Sequence, residues 1–212
     1  MTTLQTLADS LTNCQRCKLA KLGRSQVVFG VGNPHASIMF VGEAPGFHED
    51  KQGEPFVGAA GKLLTDLLLS AGLSRAEVYI ANVIKCRPPN NRDPEQDEVD
   101  TCKPFLLQQI EMIQPKLVCT LGNWATQTIL EKKVGITKVR GQAFKLERFV
   151  VFPLLHPAAA LHQGNLLVPL REDFKKLKAY LDRMTAPAEN TPASTMSAPS
   201  LPAQVQMDLF GA

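Results

Sequence analysis

Four compact apolar runs limit what this chain can fold into: Ser37–Val41 (SIMFV), Val78–Val83 (VYIANV), Lys116–Leu121 (KLVCTL) and Phe149–Leu154 (FVVFPL). Each ends near Gly, Asn or Pro, and each is short enough to be a strand buried on both faces. Helical spacing fills the intervals. Gly61–Ala71 places Leu63, Leu64, Leu67, Leu68 and Ala71 on one face, and segments 96–113 and 123–132 also read as helices. In 170–183, Leu170, Phe174, Leu177 and Leu181 share a face. A short helix over 2–12 leads into Cys14. Strands alternating with helices predict an α/β sandwich around a mostly parallel sheet. Sites in such sheets lie beyond the C-terminal strand ends, where Gly42-Glu43, Asn82 and His156 fall.

The chain has 212 residues, 44% of them hydrophobic, which is enough for one sizeable core. It has no apolar run of the roughly 18–20 residues that a membrane span needs. Its first residues lack the basic start and apolar stretch of a secretory signal, so a cytoplasmic location is expected. The formal charge of +3 suits a nucleic-acid partner and many other partners equally. Every Lys and Arg precedes residue 184. From Met184 the composition turns to Ala, Pro, Ser and Thr, too poor in apolar surface to offset the entropy of ordering. A folded domain over 1–183 and a disordered linker over 184–205 are expected.

Five cysteines in a reducing compartment point away from disulfides. Cys14 and Cys17 form C-x2-C, which can hold one metal centre through a tight turn, and Cys86 and Cys102 fall near a strand end and in the following helix. This arrangement predicts a metal centre, with zinc and iron–sulfur both open. Cys119 lies inside the apolar run KLVCTL and reads as a small hydrophobe.

The polar residues at the strand ends each have a plain structural reading beside a functional one. Gly42-Glu43-Ala44-Pro45-Gly46 is a sharp turn that would hold Glu43 at a strand mouth. Phe56 could be a core aromatic or a stacking platform, and Gly58 and Gly61 could admit a phosphate to a helix N-terminus. Asn82 could satisfy a turn or read a pyrimidine edge, since its amide both donates and accepts. His156 precedes Pro157, which biases it away from helix. Taken singly, most of these would be structural. Together at the mouths of consecutive strands, they define a candidate site.

The stretches GEAPGFHEDKQGEPFVGAAGKLL, NVIKCRPPNNRDP and LLHPAAAL, set in the C-x2-C…C…C frame, resemble the family 4 uracil-DNA glycosylases over about Cys14 to Leu181. The resemblance implies a three-layer α/β sandwich with a central, mostly parallel four-stranded sheet flanked by helices. It implies a [4Fe–4S] cluster on Cys14, Cys17, Cys86 and Cys102, and hydrolysis of the glycosidic bond of uracil flipped from single- or double-stranded DNA. Glu43 would then face the sugar and His156 the uracil O2, as the catalytic pair. Gly42, Ala44, Glu49, Phe56 and Asn82 would bind substrate: Phe56 by stacking, Asn82 by reading the polar edge, and Glu49 by crowding C5 against the methyl of thymine. Phe47 and His48 stand where acids are commoner in the family. Lys85, Arg87, Arg92 and Lys103 are candidate phosphate contacts. The alternative is a non-catalytic, cluster- or zinc-bearing DNA-binding module. A nucleotide-binding redox protein is a more distant reading, and no GxGxxG fingerprint accompanies it.

The C-terminal Gln206-Met207-Asp208-Leu209-Phe210 resembles the short motif by which bacterial repair proteins dock on the β sliding clamp. Leu209 and Phe210 would be the apolar anchors and Gln206 the polar reading point. A nucleoid-associated monomer is the expected state.

Overall fold

The structure is a computed structural model that describes residues 3–185. The motif at 206–210 and nearly all of the expected linker lie outside the described residues. Six strands form one sheet in the order β1-β3-β2-β4-β6-β5. They are β1 (Val31–Gly32), β2 (Ile38–Gly42), β3 (Tyr79–Asn82), β4 (Leu117–Leu121), β5 (Phe144–Lys145) and β6 (Val150–Leu154). The four central strands are the four apolar runs, and they pair in parallel throughout.

The sheet is therefore wider than the four strands expected. β1 and β5 add antiparallel edges of two residues each. Pairs that short leave no alternation to read. At β1 the approach is close enough that a Cβ on Gly32 would lie 2.1 Å from the Val78 carbonyl oxygen.

The described helices are α1 (Leu4–Leu11), α2 (Phe47–Gln52), α3 (Ala59–Ser70), α4 (Gln96–Ile113), α5 (Asn123–Leu130), α6 (Ile136–Val139), α7 (Pro157–His162) and α8 (Leu167–Thr185). Alternation along the strands divides the core into two halves. Phe40, Ile80, Cys119 and Phe152 face one side, with Leu64 and Leu68 of α3, Ala160 of α7 and Phe174 and Leu177 of α8. Met39, Ala81, Val118 and Val151 face the other, with Leu106 and Ile110 of α4 and Ile129 of α5. The result is a three-layer sandwich. Truncating one of these fully buried leucines to alanine should cost about 2–5 kcal/mol. Cys119 packs as a small hydrophobe, and burial pushes its thiol pKa far up.

Candidate active site

Parallel pairing brings the ends of β2 and β3 together, with Gly42 opposite Asn82. Beyond them a cleft of about 410 Å³ opens, lined among others by Glu43, Ala44, Glu49, Phe56, Asn82 and His156. Gly42 lies beneath this wall. A Cβ there would sit 2.4 Å from Asn82 Oδ1 and 2.7 Å from the Phe56 ring. Only a bare Cα lets the ring and the amide share that floor.

Asn82 is 1% exposed, and its Oδ1 accepts no hydrogen bond. A buried polar atom without a partner costs about 1–3 kcal/mol, and such exceptions call for a reason. A ligand N–H arriving through the cleft supplies one.

Phe56 is held hard. It adopts φ +56°, uncommon and strained for a non-glycine residue. Three contacts fix it. Arg75 Nη2 donates to the Pro55 carbonyl at 3.0 Å. Glu49 Oε1 accepts from the amides of Val57 and Gly58, each at 3.0 Å. Gly61 packs against the Phe56 carbonyl, where a Cβ would come within 1.8 Å. This corrects the expectation that Gly61 admits a phosphate: the space it leaves is filled by the protein's own backbone. Glu49 lines the cleft, but its carboxylate also ties down the Phe56 loop.

The Phe56 and His156 rings lie 5.6 Å apart at 30°. His156 caps α7, its Nδ1 accepting from the Ala158 amide at 3.1 Å. An Nδ1 used as acceptor leaves the neutral ring's proton on Nε2. Burial pushes the His156 pKa down to about 4, partly countered by Glu49. The ring is thus a neutral N–H donor near pH 7. Glu43 moves the other way: burial, helped by the nearby Asp93, pushes it up to about 7. Asp93, from the cleft wall, was not picked out in the sequence, where RDP looks like an ordinary loop.

The four cysteines also come together. Cys14, Cys17, Cys86 and Cys102 line one narrow cavity with Leu11, Val27 and Phe105. Donors point at the sulfurs: Arg24 Nη1 to Cys86 at 2.7 Å, Arg16 Nη1 to Cys14 at 3.4 Å, and the Lys85 amide to Cys102 at 3.3 Å. Burial pushes the Cys86 thiol up to about 11 and raises Cys102 as well. Among the described residues, no group of three or more His, Cys, Asp or Glu is closed to the spacing of a single metal ion. Four thiols around an apolar cavity, edged by cationic donors, fit a larger and negatively charged thiolate-bound group.

Lys85 is not a phosphate contact. It is 2% exposed, and its Nζ donates to the Asn82 carbonyl at 2.8 Å and to Gln109 Oε1 at 2.5 Å. Arg92 is committed to Glu98, at 2.6 and 2.9 Å, and Lys103 to Glu131 at 2.5 Å. Arg87 stays near the cleft mouth, its Nε donating to Asn91 Oδ1 at 2.7 Å.

Residues 29–182 match the Uracil DNA glycosylase superfamily. The chain is 50% identical to the type-4 uracil-DNA glycosylase of Sulfurisphaera tokodaii, over 84% of each chain. It is 44% identical to that of Thermotoga maritima, over 85% of this chain and 95% of the relative. A type-5 uracil-DNA glycosylase of Pyrobaculum aerophilum is 30% identical, over 76% of this chain and 85% of the relative. The chain belongs to the type-4 uracil-DNA glycosylase family.

Proposed function

We propose that this protein excises uracil from DNA by hydrolysing its N-glycosidic bond, leaving an abasic site for base-excision repair. The observation that carries this is the buried, unpartnered Asn82 Oδ1 beside the Phe56 ring and the His156 Nε2 donor in one cleft. A base in stacked duplex cannot reach such a recess, so the nucleotide swings out first. Phe56 then stacks on the ring, Asn82 accepts its N3–H, and Glu49 bounds the space beside C5. As the C1′–N1 bond breaks, its electron pair leaves on uracil. The neutral His156 donates from Nε2 to the O2 where charge gathers, the kind of contact whose removal slows a reaction by about 10²–10³-fold. Glu43, ionised, faces the cationic sugar and takes the proton of the water that adds to C1′. Its pKa of about 7 suits a general base near neutrality.

Cys14, Cys17, Cys86 and Cys102 would hold a [4Fe–4S] cluster. The cluster would supply iron centres for those four thiolates to coordinate, and so would tie together the loops that bear them. The chain works as a monomer on chromosomal DNA, and Gln206, Leu209 and Phe210 dock on a β sliding clamp, raising the local concentration at DNA. Those three residues lie outside the described ones. A tail-deleted protein that binds the clamp undiminished would refute that part. Among the described residues no helix is long and apolar enough to cross a membrane.

The test is incubation with a labelled oligonucleotide holding one deoxyuridine, followed by alkali and a gel, with a thymine-containing twin. Cleavage at uracil alone supports the reading. DNA binding without base release would instead mark a non-catalytic binding module.

A further inference from the structure

Phe47 opens α2 at the rim of the cleft, between Gly46 and Glu49, which both line it. The residue is 48% exposed. The Arg87 guanidinium stands 5.1 Å from the ring centroid and the Lys51 ammonium 6.0 Å away. The His48 ring meets it edge-on at 5.5 Å. Arg87 comes from the segment that supplies Pro88, Asn91 and Arg92 to another wall of the cleft, and Asn91 orients its guanidinium. Two walls thus meet in an exposed aromatic–guanidinium stack with a second cation beside it.

We propose that Phe47, with Arg87 and Lys51, is a platform for the nucleotide adjacent to the extruded one: the neighbouring base stacks on it and the neighbouring phosphate meets its cations. The proposal rests on the glycosylase reading, because it is the strand carrying uracil into the cleft that must cross this rim. Charge complementarity selects the occupant. A nucleotide offers a π face and an anion a few ångströms apart, and the rim offers a flat ring and two cations. Lys85 is buried and Arg92 and Lys103 are held by carboxylates, whereas Arg87 and Lys51 have no carboxylate partner among the described ion pairs. Acids at positions 47 and 48 would instead repel the same phosphate. The platform raises affinity for a strand without touching the reacting bond.

The experiment uses the full chain and single-stranded oligonucleotides with one deoxyuridine and 2-aminopurine at either flanking position. Wild type is compared with Phe47→Ala, Phe47→Leu, Phe47→Trp and Leu107→Ala, the last removing an exposed apolar side chain from α4 outside the cleft lining. A fluorescence change on binding at one flanking position is expected in wild type and in Phe47→Trp, and its loss in Phe47→Ala and Phe47→Leu. KM for uracil release should rise roughly 5- to 150-fold in those two variants, the effect of losing one aromatic–base stack, with kcat within about two-fold. Leu107→Ala should match wild type. Unchanged fluorescence and KM in Phe47→Ala and Phe47→Leu overturn the proposal, as does a fall in kcat at constant KM. Should wild type release no uracil, the fluorescence arm still reads the platform, so failure of the glycosylase reading is seen separately.

Discussion

The cleft and the cysteine cavity lie at the two ends of one short segment, Asn82 to Cys86, yet they are stabilised in different ways. The cleft is built on strand ends. Its groups are individually unfavourable: a strained Phe56, an Asn82 Oδ1 without a hydrogen bond, an acid pushed up to about 7 and a histidine pushed down to about 4. A sheet buried on both faces over-determines their positions, so the strain persists and is available for binding. The cavity instead gathers Cys14 and Cys17 from the segment after α1, Cys86 from the segment after β3 and Cys102 from α4. Its links across the chain include exposed ion pairs, such as Lys18 to Asp97 at 2.9 Å, each worth little in water, beside the half-buried Arg24, which donates to Cys86 Sγ at 2.7 Å. The first region is ready to act as folded. The second is the proposed cluster site, and a bound cluster would tie its segments together. Lys85 joins the two, its Nζ on Asn82 and Gln109 and its amide on Cys102.

The sharpest break in this comparison is on the cleft side. His156→Ala should lower the rate of uracil release by about 10²–10³-fold, far more than its lost α7 cap, worth about 0.5–2 kcal/mol, lowers stability, read by single-turnover assay and thermal melt. On the cavity side, Cys86→Ser should lose bound iron and make the 86–102 segment open to proteolysis before the sheet melts. Equal resistance in iron-free and iron-loaded protein would remove the distinction between the regions. Gly61→Ala should destabilise by about 1–3 kcal/mol or more, because the new methyl has only the Phe56 carbonyl to displace, and uracil release should fall with it. Lys85→Ala should cost about 1–3 kcal/mol by leaving the Asn82 carbonyl and Gln109 Oε1 unpaired, and should weaken both regions together.

The smallest effects are those of pH. Folded Glu43 keeps its proton up to about 7, whereas an ordinary carboxyl releases it near 4.5. The folded state then binds more protons between those values, so stability declines as pH rises through that window. His156 acts oppositely: an ordinary ring protonates near 6.5 and the folded one only near 4, so stability declines as pH falls through that interval. Uracil release should climb with pH to a plateau above about 7 as Glu43 ionises. Glu43→Gln should remove that limb and raise the melting temperature slightly at alkaline pH.

Much of the cleft was legible because it sits where pattern is strong. The four apolar runs became the four parallel strands, α4 occupies the segment read as helical, Asn82 ends β3, and Glu43 and His156 follow the ends of β2 and β6. What escaped was whatever depends on contacts distant in sequence. β1 and β5 have two residues each and no alternation to detect. Lys85 looked like a surface cation, and only folding shows Gln109 and the Asn82 carbonyl around it. Gly61 signalled close approach correctly, but the approaching group is Phe56's own carbonyl. Asp93 carries no pattern, and its influence on Glu43 arises from proximity alone.

The most direct test of a preformed uracil-reading cleft is the single-turnover rate of base release by wild type and Asn82→Ala, on uracil- and thymine-containing strands, with melting temperatures alongside. The account predicts release of uracil and not thymine by wild type, slowed about 100-fold or more in the variant. The variant should melt no lower, since it loses a buried atom without a partner. A variant as fast as wild type, or thymine released as readily as uracil, would contradict it.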